Sequence, residues 1–300
     1  MNNYILKTLA YNKQVRIFFL EGTDMIKEIC NHKNINRTLK DALGNTVSIA
    51  TLISGTLKGN QRVSIKVSAS NRKHKIFADA DSMGNIRGYI SDELLNVSID
   101  NVDDLSIEEL IGHTGCIQVL KDLGMHSIFT GITDMPNGNI VDDFSYYFKQ
   151  SEQTDSFFSI NMVYNDNNEI VLCRGIMAQL LPGAPTNLID AIKETIFENH
   201  SILSNLGDNE SLKEIPYLLF EDIEIVEQYP VQFFCGCSKE AFYPMLYSLS
   251  KEELVDAFEN KKSMEIVCNV CGKKHSFSSQ DIKKIYTIDK SLEGCDYIAK

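Results

Sequence analysis

Apolar and polar positions change their period several times along the chain, and each change marks an element. Residues 15–20 (VRIFFL) read as a strand by their β-branched and aromatic content. Thr23 can cap a helix running through Ile29, and apolar residues recur at helical spacing over residues 38–57. Residues 62–68 (RVSIKVS) alternate with period two, the mark of a half-buried strand. Residues 76–80 and 86–90 flank Met83, Gly84 and Asn85 and predict a hairpin. Ser106 followed by Glu109 is a capping box opening a short helix. Residues 116–121 and 127–132 predict a strand pair around Gly124. Residues 142–150 predict a helix, and 157–164 with 169–176 a second strand pair around a polar turn. Hairpins mixed with helices predict an α+β fold, with an N-terminal mixed α/β-sheet domain over residues 1–182.

Pro182, Gly183, Ala184 and Pro185 then interrupt the pattern. Beyond them Leu188, Ile189, Ile192 and Ile196 form one face of an amphipathic helix. Ser211 can cap another short helix, with Pro216 in its first turn or at its end. Residues 186–230 carry ten acids against two lysines, a net of −8. Such a stretch folds only by docking on a neighbour. It reads as an acidic helical linker over residues 183–230, docking through Leu188, Ile189, Ile192, Ile196, Leu218, Leu219 and Phe220. The remainder, 231–300, is a small C-terminal module. It has a capping box at Ser250 and Glu253, a helix-like stretch over 279–286, and eight lysines against seven acids within 231–286.

That module carries the sharpest chemistry. Cys235 and Cys237 form one close pair, and Cys268 and Cys271 another, with 30 residues between the pairs. Zn²⁺ favours four tetrahedral ligands, which two short chelating pairs can supply. One zinc per chain is expected in the reduced protein, held by Cys235, Cys237, Cys268 and Cys271. Four thiolates leave no open position for water, which argues for a structural or redox-sensitive site over a hydrolytic one. The alternative is a pair of local disulfides. In an extended stretch the side chains of Cys235 and Cys237 would point to the same side and reach one metal. A bond between them would be strained. His275, four residues after Cys271, is a possible replacement ligand. Lys239, Lys273 and Lys274 would favour thiolates nearby. Cys30, Cys116 and Cys173 fall in apolar or strand-like patterns and are expected to be small buried residues, while Cys295 lies near a tail.

Composition narrows the classes. The chain has 300 residues and a net charge of −12, which speaks against a general nucleic-acid binder. No run of about 18 apolar residues predicts a membrane span. The first residues lack a secretory pattern, so a cytoplasmic setting with reduced thiols is expected. Asp142, Asp143 and Glu152 have no histidine or nucleophile in a recognisable arrangement, and the glycines form no phosphate loop. No catalytic residue is assigned, and the chain is not expected to be an enzyme.

Several segments together resemble one family. They are residues 86–90 (IRGYI), 119–124 (VLKDLG), Asp143 with Tyr147 and Phe148, 151–153 (SEQ), 179–183 (QLLPG), and the Phe-x-Cys-x-Cys-Ser-x-Glu stretch from Phe233. On these, nearly the whole chain is similar to the heat-shock protein 33 (Hsp33) family of bacterial redox-regulated holdase chaperones. The resemblance implies a chaperone domain, a stability-sensing linker and a four-cysteine zinc switch. It implies ATP-independent binding of unfolding client proteins, dimerisation on activation and hand-over to refolding chaperones. It also implies the oxidised pairing, Cys235 with Cys237 and Cys268 with Cys271. The family's usual Gly-Gly before the Gln-Leu-Leu-Pro stretch is Arg174-Gly175 here, which raises a question about local backbone geometry. The competing readings are a zinc-ribbon RNA-binding protein, which needs a basic aromatic face, and a thiol–disulfide oxidoreductase using Cys268 and Cys271.

Overall fold

The helix α2, Arg37–Ser54, is buried along almost its whole length, which fixes what must surround it. Asn36 caps it, its side-chain oxygen accepting from the Leu39 N–H at 2.9 Å. Its buried threonines are satisfied internally: the Thr46 and Thr51 hydroxyls donate to the carbonyls of Ala42 and Val47, each at 2.8 Å. A helix apolar all round needs apolar neighbours all round, and two sheets supply them. This computed structural model describes residues 3–31, 35–97, 106–124, 127–204, 212–260 and 262–283. It divides into two units, Met1–Phe234 and Cys235–Lys300. Among the described residues, no helix is long and apolar enough to cross a membrane.

The first sheet contains β1 (Tyr4–Ala10), β2 (Val15–Glu21), β8 (Ser156–Tyr164), β9 (Ile170–Leu180) and β10 (Glu224–Pro230). Their order is β10-β1-β2-β9-β8, antiparallel throughout. The second sheet contains β3 (Arg62–Ser68), β4 (Lys75–Asp81), β5 (Asn85–Ile90), β6 (Cys116–Asp122), β7 (Ile128–Asp134) and the short β11 (Gln232–Phe233). Its order is β11-β5-β4-β3-β6-β7. With α1 (Thr23–Asn31) and α5 (Ile140–Ser151), α2 shares one core with both sheets. The mixed α/β-sheet architecture expected from the sequence is present, as are its hairpins and the capping box at Ser106. β9 runs to Leu180, past the expected end at residue 176, because it pairs with β2 as far as Val15.

The first sheet is apolar on both faces, and the pleat separates two residue sets. Ile5, Phe18, Leu20, Phe158, Cys173 and Met177 face α2. Leu6, Ile17, Phe19, Ile176, Ala178 and Leu180 form a second cluster with residues from 189–223. That is why the run over 15–20 lacks alternation. The covering segment comprises α6 (Leu188–Glu198), α7 (His200–Ser204) and α8 (Ile215–Leu219). Within it Ile192 is fully buried, and Ile189, Ile196, Leu219 and Phe220 are buried too. Leu188 is only partly buried, and Leu218 faces away from the sheet at 52% exposure.

The segment departs from the expected helical linker at its end. Residues 224–230 form β10, a strand, because β1 presents an open edge with which they pair. The chain then remains stitched to the first unit. The N–H groups of Val231, Gln232 and Phe234 donate to the carbonyls of Asn3, Gly84 and Ile86 at 3.0, 2.8 and 2.9 Å. The division between units accordingly falls after Phe234 rather than at residue 231. The helix α8 starts after Glu214 without a side-chain cap, and the expected cap Ser211 lies outside the described residues.

Two polar contacts hold this arrangement. Arg174 lies opposite Glu21 in the β2–β9 register, and its Nε donates to Glu21 Oε2 at 3.1 Å with both side chains buried. Glu21 Oε1 accepts the Thr23 hydroxyl at 2.6 Å. Arg174-Gly175 thus fits a regular strand, and the arginine supplies a partner for a buried carboxylate. The second contact is at the β1–β2 turn, where Tyr11, Asn12 and Lys13 all adopt left-handed φ angles of 53°, 52° and 64°. Successive N–H groups in such a turn converge on an anion. The anion is Asp222, whose carboxylate accepts from the Tyr11 and Asn12 N–H groups at 3.0 and 2.6 Å. Those two bonds, Asn12's first, hold its carboxyl below the usual range.

Arg174→Ala should leave Glu21 buried and unpaired, destabilising the protein by about 3 kcal/mol in urea unfolding. Arg174→Met with Glu21→Gln should recover most of that loss. Equal stability of the single and double variants would contradict this account. For Asp222, a depressed folded pKa means a contribution present above the unfolded value of about 3.9 and lost as pH falls through the lower folded value. Asp222→Asn should therefore reduce hydrogen-exchange protection of the Tyr11 and Asn12 amides at pH 7. The difference from wild type should shrink as pH falls through the depressed folded pKa of Asp222.

Candidate metal centre

The second unit builds its site from one hairpin and one turn. β12 (Met264–Val267) pairs with β13 (Lys274–Phe277), placing Met264 opposite Phe277 and Ile266 opposite His275. Cys268 directly follows β12. Its N–H donates to the Lys273 carbonyl at 2.9 Å, and the Gly272 N–H donates to its carbonyl at 2.8 Å. Gly272 has φ of 69°, a conformation glycine adopts without strain. Lys274 and His275 belong to β13. Cys235 and Cys237 flank Gly236, which has φ of 65°. That left-handed φ breaks the extended backbone expected there, and the two sulfurs still lie in one cluster.

All four sulfurs, of Cys235, Cys237, Cys268 and Cys271, lie within 4.8 Å of one another. Cys235 Sγ is 3.4 Å from Cys268 Sγ, and Cys237 Sγ is 3.5 Å from Cys271 Sγ. A tetrahedron with metal–sulfur bonds of about 2.3 Å requires sulfurs about 3.8 Å apart, so the set can hold a metal ion. Cys268 is buried, and the other three are half-buried. None of the four is in a disulfide.

The electrostatics follow from crowding four thiols. Burial raises the pKa of Cys235 and of Cys237, and their contacts with neighbouring thiols add to this. At Cys268 burial pushes the same way, but the N–H groups of Cys271 and Val270 together with the thiols of Cys235 and Cys271 hold it below its ordinary range. A cation at the centre would offset the repulsion among the rest. The expected role of nearby lysines is not seen. Lys239 bonds Asp281 at 2.8 Å, and Lys274 pairs with Glu265 at 3.0 Å. Backbone N–H groups do the work assigned to them.

His275 is placed beside the site but does not join the four-sulfur set. Of the remaining cysteines, Cys30 and Cys173 are buried in the first unit's core as expected. Cys116 is only half-buried, with Arg72 Nη1 at 3.0 Å, which corrects the expectation of burial. Cys295 lies outside the described residues. Asp143 is a buried structural acceptor. It takes the N–H groups of Asn137 and Asn139, both at 3.0 Å, and the Asn137 amide at 2.8 Å. The unit's own core is small: Leu246, Leu254, Ala257, Phe277 and Ile282, with a few half-buried neighbours.

A two-sheet unit with a docked segment, followed by a four-cysteine module, defines the class. The family profile described as Hsp33 protein matches residues 3–278, and the chain belongs to that family. The "33 kDa chaperonin" of Bacillus subtilis (strain 168) is 31% identical over 285 residues, covering 94% of this chain and 97% of the relative. The "33 kDa chaperonin" of Oceanobacillus iheyensis is 30% identical over 287 residues, covering 95% and 99%. The crystal structure of the 33 kDa chaperonin (heat shock protein 33 homolog) of Thermotoga maritima superposes with a TM-score of 0.81. It covers 97% of this chain and all of its own at 21% identity, a likeness of fold.

Cys268→Ser removes the ligand best prepared as a thiolate. It should lower metal content well below one ion per chain, measured by elemental analysis after dialysis, and loosen the second unit. A Cys268→Ser protein that retained a full ion would overturn the four-sulfur assignment.

Proposed function

We propose that this protein is a redox-switched, ATP-independent holdase chaperone whose zinc module senses oxidant and whose residues 183–230 restrain the client surface. The observation that carries this reading is the apolar outer face of the first sheet. Ile17, Phe19, Ile176, Ala178 and Leu180 are covered by a segment with a strongly acidic composition. A face of that kind, once uncovered, binds apolar unfolding chains.

The four cysteines are the ligands we assign to one zinc ion, which when bound ties the hairpin to the Cys235–Cys237 turn. On oxidation each pair of thiolates forms one S–S bond and gives two electrons to peroxide, which takes up two protons from solvent and becomes two waters. Disulfides offer no thiolates to a metal. The pairing of Cys235 with Cys237 and Cys268 with Cys271 rests on the family resemblance. Structural zinc is worth roughly 10–16 kcal/mol of apparent folding free energy. A core as small as that of the second unit does not survive such a loss.

The signal has a covalent route, because Cys235 follows β11 with only Phe234 between. Unfolding of the second unit removes the anchor beyond β10 and β11, and repulsion among the segment's acids favours release. By the resemblance, the active form dimerises and passes clients to refolding chaperones. The setting assigned is cytoplasmic. The oxidoreductase reading gains no support, because Cys268 and Cys271 lie in a hairpin turn and not at a helix N-terminus.

Ile192→Asp with Ile196→Asp places two charges against the buried face. This variant should suppress aggregation of an unfolding protein without oxidant while its zinc stays bound. Silence until peroxide is added, with residues 183–223 still protected from protease, would refute the restraint.

A further inference from the structure

His275 is the one polar side chain buried against the four-sulfur cluster among the described residues. Alternation along β13 turns Lys274 and Ser276 outward and His275 and Phe277 inward. His275 is 7% exposed, and the Phe242 ring lies against it at 5.0 Å between centroids. Its Nε2 is 3.3 Å from Cys237 Sγ. A histidine ligand of the same ion would bring that nitrogen near all the sulfurs, yet it stands outside the set that shares the 4.8 Å limit. It lies beside Cys237, in the place of an outer partner that orients a ligand.

We propose that His275 is a positioning residue for the metal centre: its Nε2–H donates to the Cys237 thiolate, fixing that sulfur's direction and lowering its reactivity toward oxidant. This rests on the zinc reading above. A thiolate carries no proton, so the facing ring nitrogen must supply one. The strand pairing and the Phe242 contact hold the ring in place, so little freedom is lost in making the bond. Outer partners of metal ligands change metal affinity by about 10–100-fold when removed. A hydrogen bond to the sulfur also withdraws the electron pair that attacks peroxide. In that attack an S–O bond forms, the O–O bond breaks, hydroxide leaves, and Cys237 becomes a sulfenic acid.

The test uses full-length, zinc-loaded protein as wild type, His275→Phe and His275→Gln. Zinc affinity is read by competition with a chromophoric chelator. Cys237 oxidation is read by alkylation and mass mapping after brief peroxide exposure. His275→Phe should bind zinc at least about tenfold more weakly and lose the Cys237 thiol several-fold faster, with a smaller change at Cys271. His275→Gln keeps an N–H donor and should recover a substantial part of both. Unchanged affinity and oxidation in His275→Phe would overturn the proposal, as would equal losses in both variants. Wild-type protein that bound no zinc would sink the zinc reading itself, and this proposal with it. Should His275→Phe fail to fold, a long-range proton–nitrogen spectrum of zinc-loaded wild type decides. A proton on Nε2 supports the bond, and a bare or metal-bound Nε2 refutes it.

Discussion

A β-sheet that is apolar on both faces needs two covers, and the first sheet has only one from the central helix. The other is residues 189–223, whose Ile192, Ile196, Leu203 and Ile215 are buried against Leu6, Ile17, Phe19 and Ile176. The two covers differ in kind. α2 is a single helix of 18 residues, capped at Asn36 and enclosed by two sheets. Among the described residues the outer cover is three short helices. Of these α7 and α8 have five residues each, and neither α6 nor α8 has a side-chain cap. Short uncapped helices have little stability of their own and depend on the face they cover. On the proposed function, that difference would let one face serve as permanent core and the other as a surface to be uncovered.

The second unit depends on a different constraint. Its few buried side chains cannot outweigh the chain entropy of ordering dozens of residues. The four sulfurs converge from turns separated by more than 30 residues, so a bound ion closes a long loop as well as satisfying four ligands. Without a cation the same convergence is unfavourable, because burial and like charge oppose thiolates at Cys235 and Cys237. The chemistry that holds the unit together is therefore also its point of failure.

Much of this was legible because it depends on local pattern. The β3 strand, the β4–β5 hairpin, the Ser106 capping box and the helical face at Ile189, Ile192 and Ile196 follow from period and turn residues. The cysteine set followed from ligand chemistry and spacing. What escaped depends on distant partners. β1 and β10 pair across more than 200 residues, and Glu224–Pro230 has no strong strand signal without the β1 edge beside it. The expected burial of Leu218 failed because α8 turns Ile215 and Leu219 inward. The lysines near the cysteines suggested thiolate stabilisation, but carboxylates on neighbouring elements claimed Lys239 and Lys274. Asp222 could not be read as a cap for the turn at Tyr11 and Asn12, since its partners are backbone groups about 210 residues away.

In the proposed switch, the covalent path between the two constraints would set the order of events. β10 and β11 belong to sheets of the first unit, and Cys235 begins the second. β10 is an edge strand pairing only with β1, and β11 joins just two residues to β5. Edge strands open locally at lower free energy than central ones. Were the second unit to unfold, fraying from Phe234 back through β11 and β10 would run along one edge strand of each sheet before reaching Asp222. Asp222 then becomes the first polar contact of the outer cover to be tested, ahead of the apolar side chains of α6. In the proposed switch, oxidation alone would therefore weaken the boundary of the cover without removing its buried core, and a second input that loosens apolar packing, such as heat or a competing unfolded chain, would finish the release.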